Sequence, residues 1–169
     1  MTARVTDLER IIAQAFSKRE RPLAVVPINC PPTTEYADAA FFEGKDWKDL
    51  VCSDLDKCFE AMSGFSPEAF CYFLPGVFCA GIRENRPNMI VNDGLITGLD
   101  RSNMPSSWDT FFAERWPRLT AAECEATQRW IMWLSEFNPP VISDHSLSRA
   151  FDTVTLLANL SSAIPLASR

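Results

Sequence analysis

Histidine is almost missing from this chain: 169 residues hold one, His145. A hydrolase of the Ser-His or Cys-His kind has to move its proton through that side chain. The GxSxG turn that presents a nucleophilic serine is missing as well. Glycine is scarce and scattered, six in all, so no Gly-rich loop cradles a phosphate. Cys30, Cys52, Cys58, Cys71, Cys79 and Cys124 form no CxxC pair, which speaks against a zinc knuckle and against a structural disulfide or metal. A basic excess is lacking too. The net charge is -6 and the pI about 4.8, which disfavours nucleic acid and anionic lipid as partners. The most apolar run, Phe70 to Ile82, is too short for a bilayer span of roughly 20 residues. The opening MTARVTDLER has no signal-peptide apolar region, so a cytoplasmic protein with reduced thiols is expected. Repeats and low-complexity segments are absent.

What is present is helix. Apolar residues make up 47% of the chain, enough for a sizeable core, and the length suits one helical domain, residues 1–169, frayed at 1–5 and 165–169. Trp47, Leu50, Val51, Leu55, Cys58, Phe59 and Met62 follow the spacing of one helix face. Asp46 suits the N-cap and Gly64 a left-handed C-cap, which predicts one helix over 47–62. Ser66, Pro67 and Glu68 open the next helix, with Pro75 and Gly76 expected to kink or break it.

Elsewhere, residues 6–19 read as an amphipathic helix with a Thr6–Glu9 capping box. The four prolines of 20–32 predict an extended connector, with room for one short edge strand at Leu23 to Val26. A short helix starts at Thr33 or Thr34 and ends at Gly44. Residues 83–107 admit two readings: a hairpin turning at Asn92-Asp93-Gly94, or a helix with Val91, Leu95 and Leu99 on one side. The helix is favoured because its surroundings are helical. Ser106 or Ser107 caps a helix carrying Trp108, Phe111, Phe112 and Trp116 inward, and Pro117 stops it. Thr120 and Glu123 form a capping box for a helix to about Phe137. Ser143 or Asp144 caps the last helix, burying Leu147, Ala150, Phe151, Val154 and Leu157. The fold class is therefore all-α: a compact orthogonal bundle of six or seven helices with at most one short strand pair.

The segments YADAAFFEGKDWKDL, FSPEAFCYFLPGV and ERWPRLTAAECEATQRWIMWL, in this order, resemble an uncharacterised family of small bacterial proteins. The resemblance covers about residues 33–137. It implies no catalytic residue, because no activity is established for that family. Small acidic helical proteins of this type are similar to immunity proteins that neutralise bacterial toxins.

Two functional classes are weighed on the residues themselves. His145, in SDHS at a helix start, is either catalytic or a solvent-facing neighbour of the cap, and the second is favoured. Glu35, Asp38, Glu43 and Asp46 lie close together, as oxygen ligands of a hard cation would. Their spacing fits neither an EF-hand loop nor the Glu-x-x-His pairs of helical di-iron proteins, so no metal or cofactor is expected. The sharper reading is a protein-binding edge of Tyr36, Asp38, Phe42, Glu43 and Asp46. Aromatic rings supply contact area there, and carboxylates steer a basic protein partner such as a toxin. A small hydrolase or metal-dependent enzyme in a helical scaffold is the alternative.

Overall fold

The computed structural model describes residues 2–163, with side chains from Thr6 onward. The expected fraying at 165–169 lies outside the described residues. The fold is all-α. Among the described residues there are nine α-helices, three short 3-10 turns and no strand: α1 Thr2–Ala15, α2 Thr34–Ala40, α3 Cys52–Lys57, α4 Ala61–Gly64, α5 Pro67–Arg83, α6 Ile90–Leu99, α7 Thr110–Arg115, α8 Ala121–Ser135 and α9 Asp144–Ala163. The chain gathers into two compact units, residues 1–94 and 95–169.

The first unit is built on α5. Ser66 caps it, its hydroxyl accepting from the Ala69 N–H at 3.2 Å, and Pro67 takes the first turn. Fourteen consecutive residues, Ala69 to Ile82, are buried, so this helix has neighbours on every side. Of the expected kink or break at Pro75, the break does not occur: the helix runs on through it. An interior proline costs about 3 kcal/mol. Burying one large apolar side chain contributes roughly 1.5–3 kcal/mol, and α5 buries Phe70, Phe73, Leu74, Val77, Phe78 and Ile82. Burial wins. Gly76 supplies space: a Cβ there would lie 2.6 Å from the Trp47 carbonyl oxygen and 2.7 Å from Leu50 Cδ1.

That close approach explains the main departure from the sequence reading. Residues 47–62 are not one helix. A 3-10 turn, Trp47–Asp49, sits on Gly76, and the chain is extended at Leu50 and Val51 before α3 begins. A second interruption at Cys58 (φ -123°, ψ 57°) separates α3 from α4. The ends so exposed are satisfied from elsewhere, as helix termini require. Glu84 accepts from the Cys52 N–H at 2.8 Å, and Arg83 donates to the Leu50 carbonyl at 3.4 Å. Asp46 does cap the first turn, accepting from the Lys48 N–H at 3.0 Å. Leu55 and Met62 are buried as read, but Phe59 is 43% exposed and Val51 39% exposed. The division also lifts the helix count above six or seven.

Gly64 is not a left-handed cap. Its bare backbone lets α4 touch α2, because a Cβ would collide with the Glu35 carbonyl. Gly44, at φ 77°, is the left-handed residue that ends the segment after α2. α1 starts at Thr2 and ends at Ala15, so Thr6 and Glu9 lie inside it rather than at a capping box, and Glu9 pairs with Arg83 at 3.0 Å. The connector forms no edge strand. Instead Ser66 holds it, its N–H donating to the Val25 carbonyl and its hydroxyl to the Ala24 carbonyl, both at 2.8 Å. Residues 90–99 are helical, with Val91 at 5% exposure.

In the second unit, Asp109 caps α7 in place of the two serines, accepting from the Phe112 N–H at 2.9 Å. Phe112 and Trp116 are buried, whereas Phe111 stays 36% exposed beside the Arg115 guanidinium. The Thr120–Glu123 box opens α8 as read. α8 and α9 pack on each other, burying Trp130, Trp133, Leu134, Leu147, Ala150, Val154 and Leu157. Phe151, expected inside, is only half-buried.

Candidate protein-interaction surface

The surface centres on α2 and the turn between α3 and α4. Asp38, on α2, accepts from the Glu60 N–H at 3.1 Å. This bond holds the turn of Cys58 to Glu60 against α2, and the exposed Phe59 belongs to that turn. Tyr36 is half-buried and Glu43 exposed. Phe41 is half-buried, with the Lys45 ammonium 4.4 Å and the Lys57 ammonium 4.5 Å from its ring centroid. Ammonium groups favour aromatic faces at such distances. Lys45 also pairs with Asp54 at 3.2 Å.

The five residues read from the sequence therefore separate. Phe42 is 0% exposed and packs with Phe65 and Phe73, at centroid distances of 5.5 and 5.6 Å. It belongs to the core and offers no surface. Asp38 has a structural bond. Asp46 caps the Trp47 turn and faces Arg21 at 3.6 Å. Tyr36 and Glu43 remain available at the surface. Phe59 was missed because its spacing from Leu55 and Met62 suits a buried helix face, and only the interruption at Cys58 turns it outward.

The electrostatics of the segment are uneven. Residues 33–60 hold eight carboxylates and three lysines, a net -5 of the chain's -6. Arg21 enters from the connector. Its guanidinium is held charged above its ordinary value, first by a hydrogen bond with the Tyr72 hydroxyl and then by Asp46. It also donates to the Gly44 carbonyl at 3.1 Å.

Other chemistry-bearing groups lie elsewhere. Burial pushes the Cys52 thiol up to about 12, with the Glu84 carboxylate adding to the effect. Burial likewise takes Cys79 and Cys124 to about 12 and raises Cys58. Thiols kept protonated in this way supply no thiolate nucleophile near neutral pH. His145 is exposed in the first turn of α9, next to Ser143, whose hydroxyl accepts from the Ser146 N–H at 3.1 Å. Among the described residues, no three His, Cys, Asp or Glu side chains converge as metal ligands. No described helix is long and apolar enough to cross a membrane. No protein-family model, curated protein or solved structure matches the chain.

Proposed function

We propose that this protein acts by binding another protein through the surface of α2 and the Cys58–Glu60 turn, as an immunity-type inhibitor of a bacterial toxin would. The observation that carries the reading is the exposed Phe59, next to the Glu60 N–H that Asp38 ties to α2, inside a segment with a net -5 of the chain's -6. An aromatic ring on a hydrogen-bonded turn loses little freedom on binding, and a carboxylate rim accelerates encounter with a basic partner. Tyr36 and Glu43 extend the surface.

The test is to isolate the partner with the intact chain and measure its association and dissociation rates. Phe59→Ala and Tyr36→Ala are expected to speed dissociation. Glu43→Lys is expected to slow association and to flatten its dependence on salt. Unchanged rates in all three folded variants reject this surface. A hydrolytic activity abolished by His145→Ala, with no partner found, would put the enzyme reading in its place.

A further inference from the structure

The segment from α3 to α4 is broken where its own sequence gives no reason to break. Residues 51–63, VCSDLDKCFEAMS, contain no glycine and no proline, and Leu55, Lys57, Glu60, Ala61 and Met62 are good helix formers. Cys52, Leu55, Phe59 and Met62 have the spacing of one face of a single helix. Even so, α3 stops at Lys57 and α4 starts at Ala61. Three amides mark the departure. The Ala61 N–H donates to the Cys58 carbonyl at 3.2 Å and the Ser63 N–H to the Glu60 carbonyl at 2.9 Å, each three residues back. The Glu60 N–H donates to the Asp38 carboxylate at 3.1 Å. In a continuous α-helix the same three amides would donate to the carbonyls of Lys57, Phe59 and Asp56, four residues back. The constraint comes from α2. Besides the Asp38 bond, Gly64 at the end of α4 lies so close to the Glu35 carbonyl that a Cβ would collide with it. Local preference and tertiary contact thus disagree over residues 58–60, and disagreement of this kind marks functional sites.

We propose that the Cys58–Glu60 turn is a conformational switch of the interaction surface, with Asp38 as its latch. Latched, the turn is broken and presents Phe59 to water. Unlatched, residues 52–64 coil as one helix. The Glu60 N–H passes from Asp38 to the Asp56 carbonyl, and Phe59 turns onto the face of Leu55 and Met62. The exchange leaves the Glu60 amide bonded and removes an aromatic ring from water, which favours coiling. The seat of Gly64 on α2 opposes it. Opposed terms of this sort make an element two-state rather than continuously deformable. The inference rests on the protein-binding reading above and adds its regulation. A partner that takes Phe59 binds the latched form, so its apparent affinity scales with the latched fraction. Asp38 is a positioning residue, acting on the partner only through the turn.

The test is made by NMR on the full isotope-labelled chain and needs no partner. In Asp38→Ala the Cα chemical shifts of Cys58, Phe59 and Glu60 are expected to move to helical values, and the Glu60 amide to exchange more slowly than in wild type. Asp38→Asn, whose side-chain oxygen still accepts the N–H, is expected to keep wild-type values at all three residues. Shifts in folded Asp38→Ala that stay as in wild type, or that move to random-coil values, overturn the proposal. Should Asp38→Ala not fold, saturation transfer on the wild-type chain decides: a minor state with helical shifts at 58–60 supports the switch, and its absence overturns it. With the partner isolated, Asp38→Ala should bind at least tenfold more weakly and Asp38→Asn like wild type. A turn that stays broken in Asp38→Ala, while Phe59→Ala weakens binding, sinks the switch and leaves the α2 surface standing. A turn that coils, while Asp38→Ala and Phe59→Ala both bind normally, keeps the two-state turn and rejects the surface.

Discussion

At the scale of single residues, spacing and burial part company around Phe59. Its position in the apolar pattern equals that of Leu55, but Leu55 is 3% exposed and Phe59 43%. Leu55→Ala is expected to lose roughly 2–5 kcal/mol, as deletion of buried methylenes does, and Phe42→Ala about 3–5 kcal/mol. Phe59→Ala should lose about 1 kcal/mol or less, the range of surface substitutions. Urea unfolding of the three variants checks the order, and a loss at Phe59 equal to that at Leu55 would contradict the structure.

At the scale of elements, two glycines in helices predict opposite outcomes. Both deprive a helix of Ala's propensity advantage of about 1 kcal/mol. Gly76 in α5 faces the Trp47 carbonyl and Leu50, so the added methyl of Gly76→Ala must displace backbone and core. Overpacking of this kind costs about 1–3 kcal/mol and outweighs the propensity gain. Nothing lies within 4 Å of a Cβ on Gly98 in α6, so Gly98→Ala should stabilise by about 0.5–1 kcal/mol. Thermal melts of both variants decide it: a stabilised Gly76→Ala would mean that the Trp47 turn does not rest on α5. The same contact links element to surface. By seating the Trp47 turn, Gly76 helps to divide the 47–62 segment at Leu50 and Val51, and the separate interruption at Cys58 leaves Phe59 in a turn.

At the scale of the whole molecule, buried thiols tie stability to pH. Cys52, Cys79 and Cys124 titrate near 12 in the folded chain against an ordinary value of 9.0. A raised value means that the folded state keeps protons which the unfolded state releases. The contribution is complete below about pH 9 and declines as pH rises from there towards 12. Unfolding free energy should therefore fall across that window. Cys79→Ala, compared with its own value at pH 8, should show a shallower fall than wild type in denaturant titrations. Equal slopes would show that Cys79 is not held protonated by burial.

The all-α class, the Ser66–Pro67 start of α5, the Thr120–Glu123 box and the buried faces of α8 and α9 were legible without coordinates. These depend on side-chain spacing within a few turns and on groups that satisfy their own helix end. Of the residues read as a binding edge, Tyr36 and Glu43 do reach the surface, whereas the full burial of Phe42, the bond from the Glu60 N–H to Asp38 and the exposure of Phe59 could not be read from sequence. The reason is physical. Whether residues 47–62 continue as a helix depends on Gly76, nearly thirty positions away, and on Arg83 and Glu84, which satisfy the broken ends. Asp38 acquires its role only when the Glu60 N–H arrives opposite it. Local periodicity determined which segments coil; long-range backbone contacts decided where they stop and which aromatic and apolar side chains face water.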